Sequence, residues 1–124
     1  MVQSTYHLLK LSEVDRDDKR IVGEKAVQFG ELERSGFPIP TAFVITSSAY
    51  FQFLKTNRLI PKITGLIETI HFDHPESLMQ VAHHIQKFFR DSSFSEEFVH
   101  AIDKYYTQLK KDSHHKEVII RPSQ

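Results

Sequence analysis

The sequence predicts an α/β fold in which about five helices surround a small mixed sheet. Three short apolar runs bounded by polar turns predict strands, within residues 5–11, 42–45 and 118–120. Longer segments carry apolar residues at helical spacing, and they predict helices that begin near residues 24, 47, 61, 75 and 96. The run at 42–45 is continuously apolar, which is typical of a strand covered on both faces. The charged stretch 13–19 is expected to be a solvated loop.

The first long helix is predicted from about Glu24 to Ser35, and its boundaries are marked by glycine. Gly36 occupies the position where a left-handed C-terminal cap belongs. Gly30 lies inside the helix, where glycine costs about 1 kcal/mol relative to alanine. We therefore expect another stretch of backbone to pack closely against Gly30. Pro38 and Pro40 then favour extended backbone up to the next strand.

The later helices carry recognisable start and stop signals. Thr46 or Ser47 can cap the second helix, and Asn57 is expected to end it. Prolines open the next two helices in their first turns, and Ser95 can cap the last, where two glutamates favour the helix dipole. Serine is better explained as a cap in this chain than as a nucleophile, because no serine has a credible base partner.

Composition bounds the class of protein. The chain has 124 residues, enough for one small domain, and 16 basic side chains balance 16 acidic ones. This balance does not favour nucleic-acid binding, and the absence of cysteine suits a cytoplasmic protein. No apolar run approaches the roughly 20 residues of a membrane span. The sequence therefore predicts a soluble cytoplasmic chain. Its eight histidines are expected to be surface residues, with no metal site.

Two cationic residues are candidates for binding an anion. Gly23 precedes a helix whose first turn contains Lys25, and a helix N-terminus attracts anions through its free N–H groups and dipole. Arg121 ends the last predicted strand, where a guanidinium can make a bidentate phosphate contact. Each has a plainer alternative. Lys25 can be a solvated surface charge, and Arg121 can face water from an edge strand.

A longer motif resembles the start of the nucleotide-binding domain of phosphoenolpyruvate synthase and pyruvate phosphate dikinase. This branch of the ATP-grasp proteins includes the rifampicin phosphotransferases. The family pattern has a valine-glycine-glycine-lysine turn, a leucine-glycine-glutamate segment, a glycine-x-proline-x-proline exit and a strand that ends in threonine or serine. The positions that fit are Val22, Gly23, Lys25, Gly30, Glu31, Leu32, Gly36, Pro38, Pro40, Phe43, Val44, Ile45, Thr46, Ala49 and Tyr50. The final residues 118–124 resemble the family's strand that ends in an arginine.

The resemblance implies that Gly23, Lys25 and Arg121 contact the phosphates of ATP. It implies that residues 1–124 are a single partial domain, the first subdomain of an ATP-grasp domain, truncated after a strand at 117–121. The remaining domains of the parent chain would be its partners. A second lobe would bind Mg²⁺, and another domain would carry a phosphorylated histidine between ATP and an acceptor. This fragment is therefore expected to be inactive alone.

Two residues depart from the family pattern. Glu24 replaces the second glycine, and Pro122 replaces the first serine after Arg121. The Glu24 carboxylate lies where phosphate oxygens would bind, so it would act as a gate that swings away, or cap its own helix and exclude ATP. Pro122 removes one backbone N–H. These departures leave an alternative function open, in which the chain is a non-catalytic remnant that binds a protein partner.

Overall fold

The computed structural model describes residues 7–113 and 117–123. Its residues group into two compact units along the chain. The first unit takes in the residues up to Tyr50 together with those from Glu96 onward, and the second consists of Phe51–Ser95. Within the described residues, no helix combines the length and the apolar character that crossing a membrane requires.

The first unit contains both strands of a two-stranded antiparallel sheet, β1 (Leu8–Lys10) and β2 (Phe43–Ile45). Leu8 pairs with Ile45 and Lys10 with Phe43, so the predicted strands at 5–11 and 42–45 are confirmed at residues 8–10 and 43–45. Residues 5 and 6 of the first predicted strand lie outside the described residues. The elements between and after the strands are two 3₁₀ turns, Leu11–Glu13 and Arg16–Asp18, and the helices α1 (Lys19–Val22), α2 (Glu24–Arg34) and α6 (Glu96–Asp112).

The core of this unit is aliphatic and lies around α1 and α2. Val14, Val22, Ala26 and Val27 are almost completely buried and form one cluster, against which Leu9, Ile21 and Val44 pack. Burying each of the three valine side chains is worth about 1.5–3 kcal/mol, which offsets part of the cost of ordering the two short helices. The core thereby holds the junction between α1 and α2 in place.

Gly30 is buried on α2, and the close approach expected there is confirmed. A Cβ atom added at Gly30 would lie 3.0 Å from the carbonyl oxygens of both Leu11 and Val14. Arg34, one turn further along, donates to the carbonyls of Val14 and Ser12, the latter at 3.2 Å. The turn at residues 11–14 is therefore fastened directly to α2.

The second unit is helical and has its own apolar contacts. The helix α3 (Ser47–Thr56) continues into it from the first unit, and α4 (Leu59–Ile67) and α5 (Pro75–Asp91) follow. Leu54, Leu59 and Val81 are buried, and the Phe53 ring lies 5.0 Å from that of Phe94. The helices predicted near residues 47, 61, 75 and 96 are all present.

Asn57 ends α3, as expected, and it also has a role that the sequence did not reveal. Its side-chain amide donates to the carbonyl of Ser93 at 3.0 Å and accepts from the N–H of Ser93 at 3.2 Å. The same amide nitrogen donates to the carbonyl of Phe53, also at 3.0 Å. Asn57 therefore joins the end of α3 to the loop after α5.

Two predictions about the sheet and its connections need correction. Residues 117–121 form no strand, and the sheet in the described residues is purely antiparallel rather than mixed. A strand needs a neighbour to satisfy its backbone groups, and an apolar sequence alone does not supply one. The predicted loop at 13–19 contains a 3₁₀ turn whose capping box joins Asp15 and Asp18.

Candidate functional site

Gly23 is the joint between α1 and α2. Its N–H donates to the carbonyl of Lys19 at 2.9 Å and its own carbonyl accepts from the N–H of Val27 at 3.3 Å. Its backbone has φ +85° and ψ 163°, a region in which essentially only glycine is found. A side chain at this position would be strained, so the sharp turn that starts α2 depends on Gly23.

The N-terminus of α2 presents the features of an anion site. Gly23 has no side chain with which to cap the helix, and the first-turn N–H groups have no carbonyl within the helix to reach. Lys25 lies in this first turn and is exposed. It makes no ion pair with any residue that the structure describes. The Lys25 ammonium is therefore free to accept an anionic partner.

Glu24 is held by other side chains. Its carboxylate lies 2.6 Å from the Lys19 ammonium and accepts a longer hydrogen bond, 3.4 Å, from the Gln28 amide. The hydrogen bond from Lys19, and then the charge of Lys19, lower the pKa of Glu24 below its ordinary value. Glu24 is thus ionised at neutral pH, and its nearest cation is Lys19.

A second ion pair flanks the same helix. The Arg16 guanidinium donates to the Glu31 carboxylate at 2.7 Å, and this hydrogen bond raises the pKa of Arg16. Neither ion pair could be found from helical spacing. Lys19 and Glu24 are five residues apart across a helix break, and Arg16 lies outside α2 altogether. Both pairs depend on how α1 folds back at Gly23.

Arg121 lies in the segment 117–123, which has no helix or strand, and it is exposed. In the described part of the chain, no hydrogen bond or ion pair joins Arg121 to Gly23, Glu24 or Lys25. Gly23, Glu24 and Lys25 lie together in one turn because they are consecutive in the sequence. The convergence of Arg121 on that turn stays a prediction.

The histidines in the described part of the chain include one pair whose rings lie close together, His71 and His74. The rings of His71 and His74 lie 6.4 Å apart, and His74 is 3.8 Å from the Asp73 carboxylate. Among residues 7–113 and 117–123, no group of three or more His, Cys, Asp or Glu side chains is arranged to hold a metal ion.

Comparison with known families decides what kind of domain this is. The family model described as the pyruvate phosphate dikinase AMP/ATP-binding domain matches residues 19–124. The chain belongs to this family. The matched part begins at Lys19, so it includes α1, the Gly23 turn, α2 and the segment 117–123, which contains Arg121. The resemblance to phosphoenolpyruvate synthases and pyruvate phosphate dikinases is thereby confirmed.

Individual relatives of this AMP/ATP-binding domain agree with the family match. The phosphoenolpyruvate synthase of Aquifex aeolicus is 33% identical over an alignment of 122 residues that covers 94% of this chain and 14% of the relative. A probable phosphoenolpyruvate synthase of Staphylothermus marinus is 34% identical over 101 residues, 82% of this chain and 12% of the relative. The Escherichia coli phosphoenolpyruvate synthase is 29% identical over an alignment of 122 residues that covers 95% of this chain and 15% of the relative. The chain spans only this small share of each relative's length.

Proposed function

We propose that this chain is the first subdomain of an ATP-grasp nucleotide-binding domain and that it binds the phosphates of ATP at the start of α2. The parent protein would be a phosphoenolpyruvate synthase-like phosphotransferase, which moves a phosphoryl group from ATP through a phosphohistidine to an acceptor. In such reactions catalysis rests on positioning and on neutralising the charge of the phosphates. This chain would contribute to both, and it would be inactive without the remaining domains.

The observation that carries the proposal is the free Lys25 ammonium in the first turn of an uncapped helix. A cation near a helix N-terminus is unfavourable by about 0.3–1 kcal/mol when it has no partner. A phosphate bound by both Lys25 and the first-turn N–H groups would reverse the sign of that term. The Gly23 turn supports this function, because it opens the helix without placing a side chain over the N–H groups.

Arg121 would provide the second cationic contact. A guanidinium binds phosphate oxygens in a bidentate manner, whereas an ammonium acts as a point charge. Lys25 and Arg121 would therefore have different roles, the first neutralising charge and the second fixing the orientation of the phosphates. We assign the Mg²⁺ carboxylates to a second lobe of the parent protein.

Glu24 would act as a gate for this site. Its carboxylate is tied to Lys19 and Gln28, so in this arrangement its negative charge is compensated. Because Lys19 compensates the negative charge of Glu24, an incoming phosphate would be repelled only by the part of that charge that Lys19 leaves uncompensated. Because the Glu24–Lys19 pair is exposed, its strength will fall with salt.

Glu24 also favours the second candidate function, a protein-interaction module without nucleotide binding. A carboxylate beside the first turn already satisfies the helix dipole and leaves less need for a bound anion. The two candidates differ in what the removal of Glu24 does. A working site will bind ATP more tightly without this carboxylate, whereas a module that has lost the site will not respond.

Calorimetric titration with ATP tests the proposed site. We expect weak, saturable binding of ATP to the unmutated 124-residue chain and loss of that binding in Lys25→Ala. The matched control is Lys55→Ala, since Lys55 is another exposed helical lysine and forms no ion pair with the residues that the structure describes. Equal binding by both alanine variants would reject the role of Lys25.

Two variants at the gate complete the test. Glu24→Gln removes the charge and retains the shape, and Glu24→Gly restores the family pattern at a helix cost of about 1 kcal/mol. Both variants are expected to bind ATP more tightly than the unmutated 124-residue chain does. Unchanged affinity in both would favour the interaction module. Turnover of ATP with pyruvate by the unmutated 124-residue chain alone would contradict the inactivity expected of this subdomain.

A further inference from the structure

The first turn of α2 has free N–H groups for which a ligand and a side chain of the chain itself can compete. In the described residues, the N–H groups of Glu24, Lys25 and Ala26 make no hydrogen bond. Val27 is the first residue of the helix to donate, to the carbonyl of Gly23 at 3.3 Å. Such free N–H groups attract any nearby anion, and Glu24 carries one within the first turn itself.

The Glu24 carboxylate is held away from these N–H groups by two partners. Its Oε2 lies 2.6 Å from Lys19 Nζ, and its Oε1 accepts from Gln28 Nε2 at 3.4 Å. Gln28 lies one turn further along α2, so both carboxylate oxygens are engaged beside the helix and neither caps its first turn. Lys19 is the stronger partner, because its contact is shorter and joins two opposite charges.

Lys19 can hold Glu24 because α1 folds back onto the start of α2. The Lys19 carbonyl accepts from the Gly23 N–H at 2.9 Å, which ties the Lys19 backbone to the residue before Glu24. Arg16 also lies near enough for its charge to act on Glu24, but its guanidinium is paired with the Glu31 carboxylate at 2.7 Å. Among the described residues, Lys19 is thus the cation that pairs with Glu24.

We propose that Lys19 is a positioning residue of the phosphate site, which keeps the first-turn N–H groups of α2 open by holding Glu24 aside. This inference rests on the proposed function, because it concerns the same site. Without Lys19, the Glu24 carboxylate is free to turn back toward the first turn, where it would compete with a phosphate for the N–H groups. Lys19 acts through Glu24, whereas Lys25 would contact the phosphate directly.

Lys19 is also a positive charge close to the site, so its removal would weaken anion binding to some extent even with Glu24 in place. The two effects differ once Glu24 is neutral. An effect of Lys19 through Glu24 disappears in a Glu24→Gln background, whereas an effect of its own charge is the same in both backgrounds. A double-mutant cycle therefore separates them.

The test is a chemical-shift titration of the 124-residue chain with pyrophosphate at constant ionic strength, followed at the amides of residues 23–26. Lys19→Met removes the charge and keeps an unbranched side chain that suits a helix. It should weaken binding about fourfold, the effect expected of one unit charge about 5 Å from another in water. In the Glu24→Gln background, Lys19→Met should leave the affinity unchanged.

Arg20→Met is the matched control, since Arg20 is the next exposed cation on α1 and forms no ion pair with the described residues. Its removal should weaken binding by less than about twofold, because salt screens an exposed charge that holds no carboxylate. Equal losses in Lys19→Met and Arg20→Met would overturn the role of Lys19. A loss of the same size in the Glu24→Gln background would overturn it as well.

Two outcomes distinguish this role from the phosphate site. Undiminished binding by Lys19→Met, with binding abolished in Lys25→Ala, would reject the role and leave the site intact. Absence of binding by the unmutated chain would reject the site and this role with it. Circular dichroism checks that Lys19→Met is folded, and Lys19→Gln replaces it if it is not.

The titration of Glu24 provides a readout that does not depend on ligand. The hydrogen bond from Lys19, and then the charge of Lys19, lower the pKa of this carboxyl group. The Glu24 side-chain carbon shifts should therefore report a higher pKa in Lys19→Met than in Arg20→Met. The same pKa in both variants would show that Lys19 does not hold the carboxylate, which contradicts the proposal.

Discussion

The helix α2 and the segment 117–123 both carry strong sequence patterns, yet they differ in what those patterns produce. The α2 helix has the boundaries expected of it, with a glycine turn at its start and a left-handed Gly36 at its end. The segment 117–123 contains an apolar run of strand type, but it forms no strand, and Ile120 is 92% exposed.

The difference follows from where the stabilising contacts come from. The α2 helix satisfies its hydrogen bonds internally, and Gly36 and Phe37 donate to the carbonyls of Glu33 and Leu32 to close its last turn. A strand has no internal hydrogen bonds and needs a neighbouring ladder. Local patterns are thus sufficient for a helix whose apolar face is covered by nearby chain. An apolar run of strand type forms a strand only where a neighbouring strand is available to pair with it.

The largest effect is expected at Gly30, where local packing leaves no room. Gly30→Leu should lower the free energy of unfolding by about 3 kcal/mol, because its Cβ would press against two carbonyl oxygens. The matched control is Gly65→Leu on α4, where an added Cβ meets nothing within 4 Å. The control should gain about 0.5–1 kcal/mol from helix propensity. Urea denaturation measures both, and equal values would refute the close contact.

Next in size is the Gly23 turn. Gly23→Ala should cost about 1–3 kcal/mol, because alanine is strained at the φ and ψ of this residue. The site and the fold are coupled here, so the same variant should also weaken ATP binding. Ser35→Ala, at the ordinary C-cap of α2, provides a reference with φ −84°. Thermal unfolding compares the two variants, and a Gly23→Ala chain as stable as Ser35→Ala would show that the turn is not strained.

A smaller effect concerns how α6, the helix before the segment 117–123, contacts the sheet. Burial, and to a lesser extent the charge of Glu13, raise the pKa of Tyr105 above its ordinary value near 10. The stability that the neutral Tyr105 side chain contributes is therefore complete below pH 10. It is lost as the pH rises through the higher folded-state pKa. Unfolding curves at pH 8–11 should show this loss in the parent and in Tyr106→Phe. Its persistence in Tyr105→Phe would contradict this assignment.

The smallest effect is expected in the segment 117–123 itself. Ile120→Ala should change the free energy of unfolding by less than about 0.5 kcal/mol, because the side chain is almost fully exposed. Val27→Ala, which truncates a side chain only 3% exposed, should cost over about 1 kcal/mol. A substantial cost at Ile120, measured by the same denaturation, would mean that this segment packs against the chain.

The sequence predicted the helices well because their caps, prolines and apolar stripes act locally. Gly30 was predictable from its cost in a helix, although its partners, Leu11 and Val14, were not. The Lys19–Glu24 pair and the Asn57 contacts to Ser93 were missed, since both depend on how the chain folds back rather than on spacing. Of the candidate site, the Gly23–Lys25 turn followed from local features, whereas the position of Arg121 relative to it depends on contacts that a single sequence does not contain.

The most direct test of the account is a residue-by-residue chemical-shift titration with pyrophosphate. We predict that the backbone shifts will cluster at residues 23–26 and at Arg121, and that they will disappear in Lys25→Ala but not in Lys55→Ala. Shifts confined to residues 23–26 would contradict the assignment of Arg121 to the site. Shifts confined to His83 and His84, two adjacent exposed histidines on α5, would contradict the phosphate site at the start of α2. Equal responses in both lysine variants would contradict it as well.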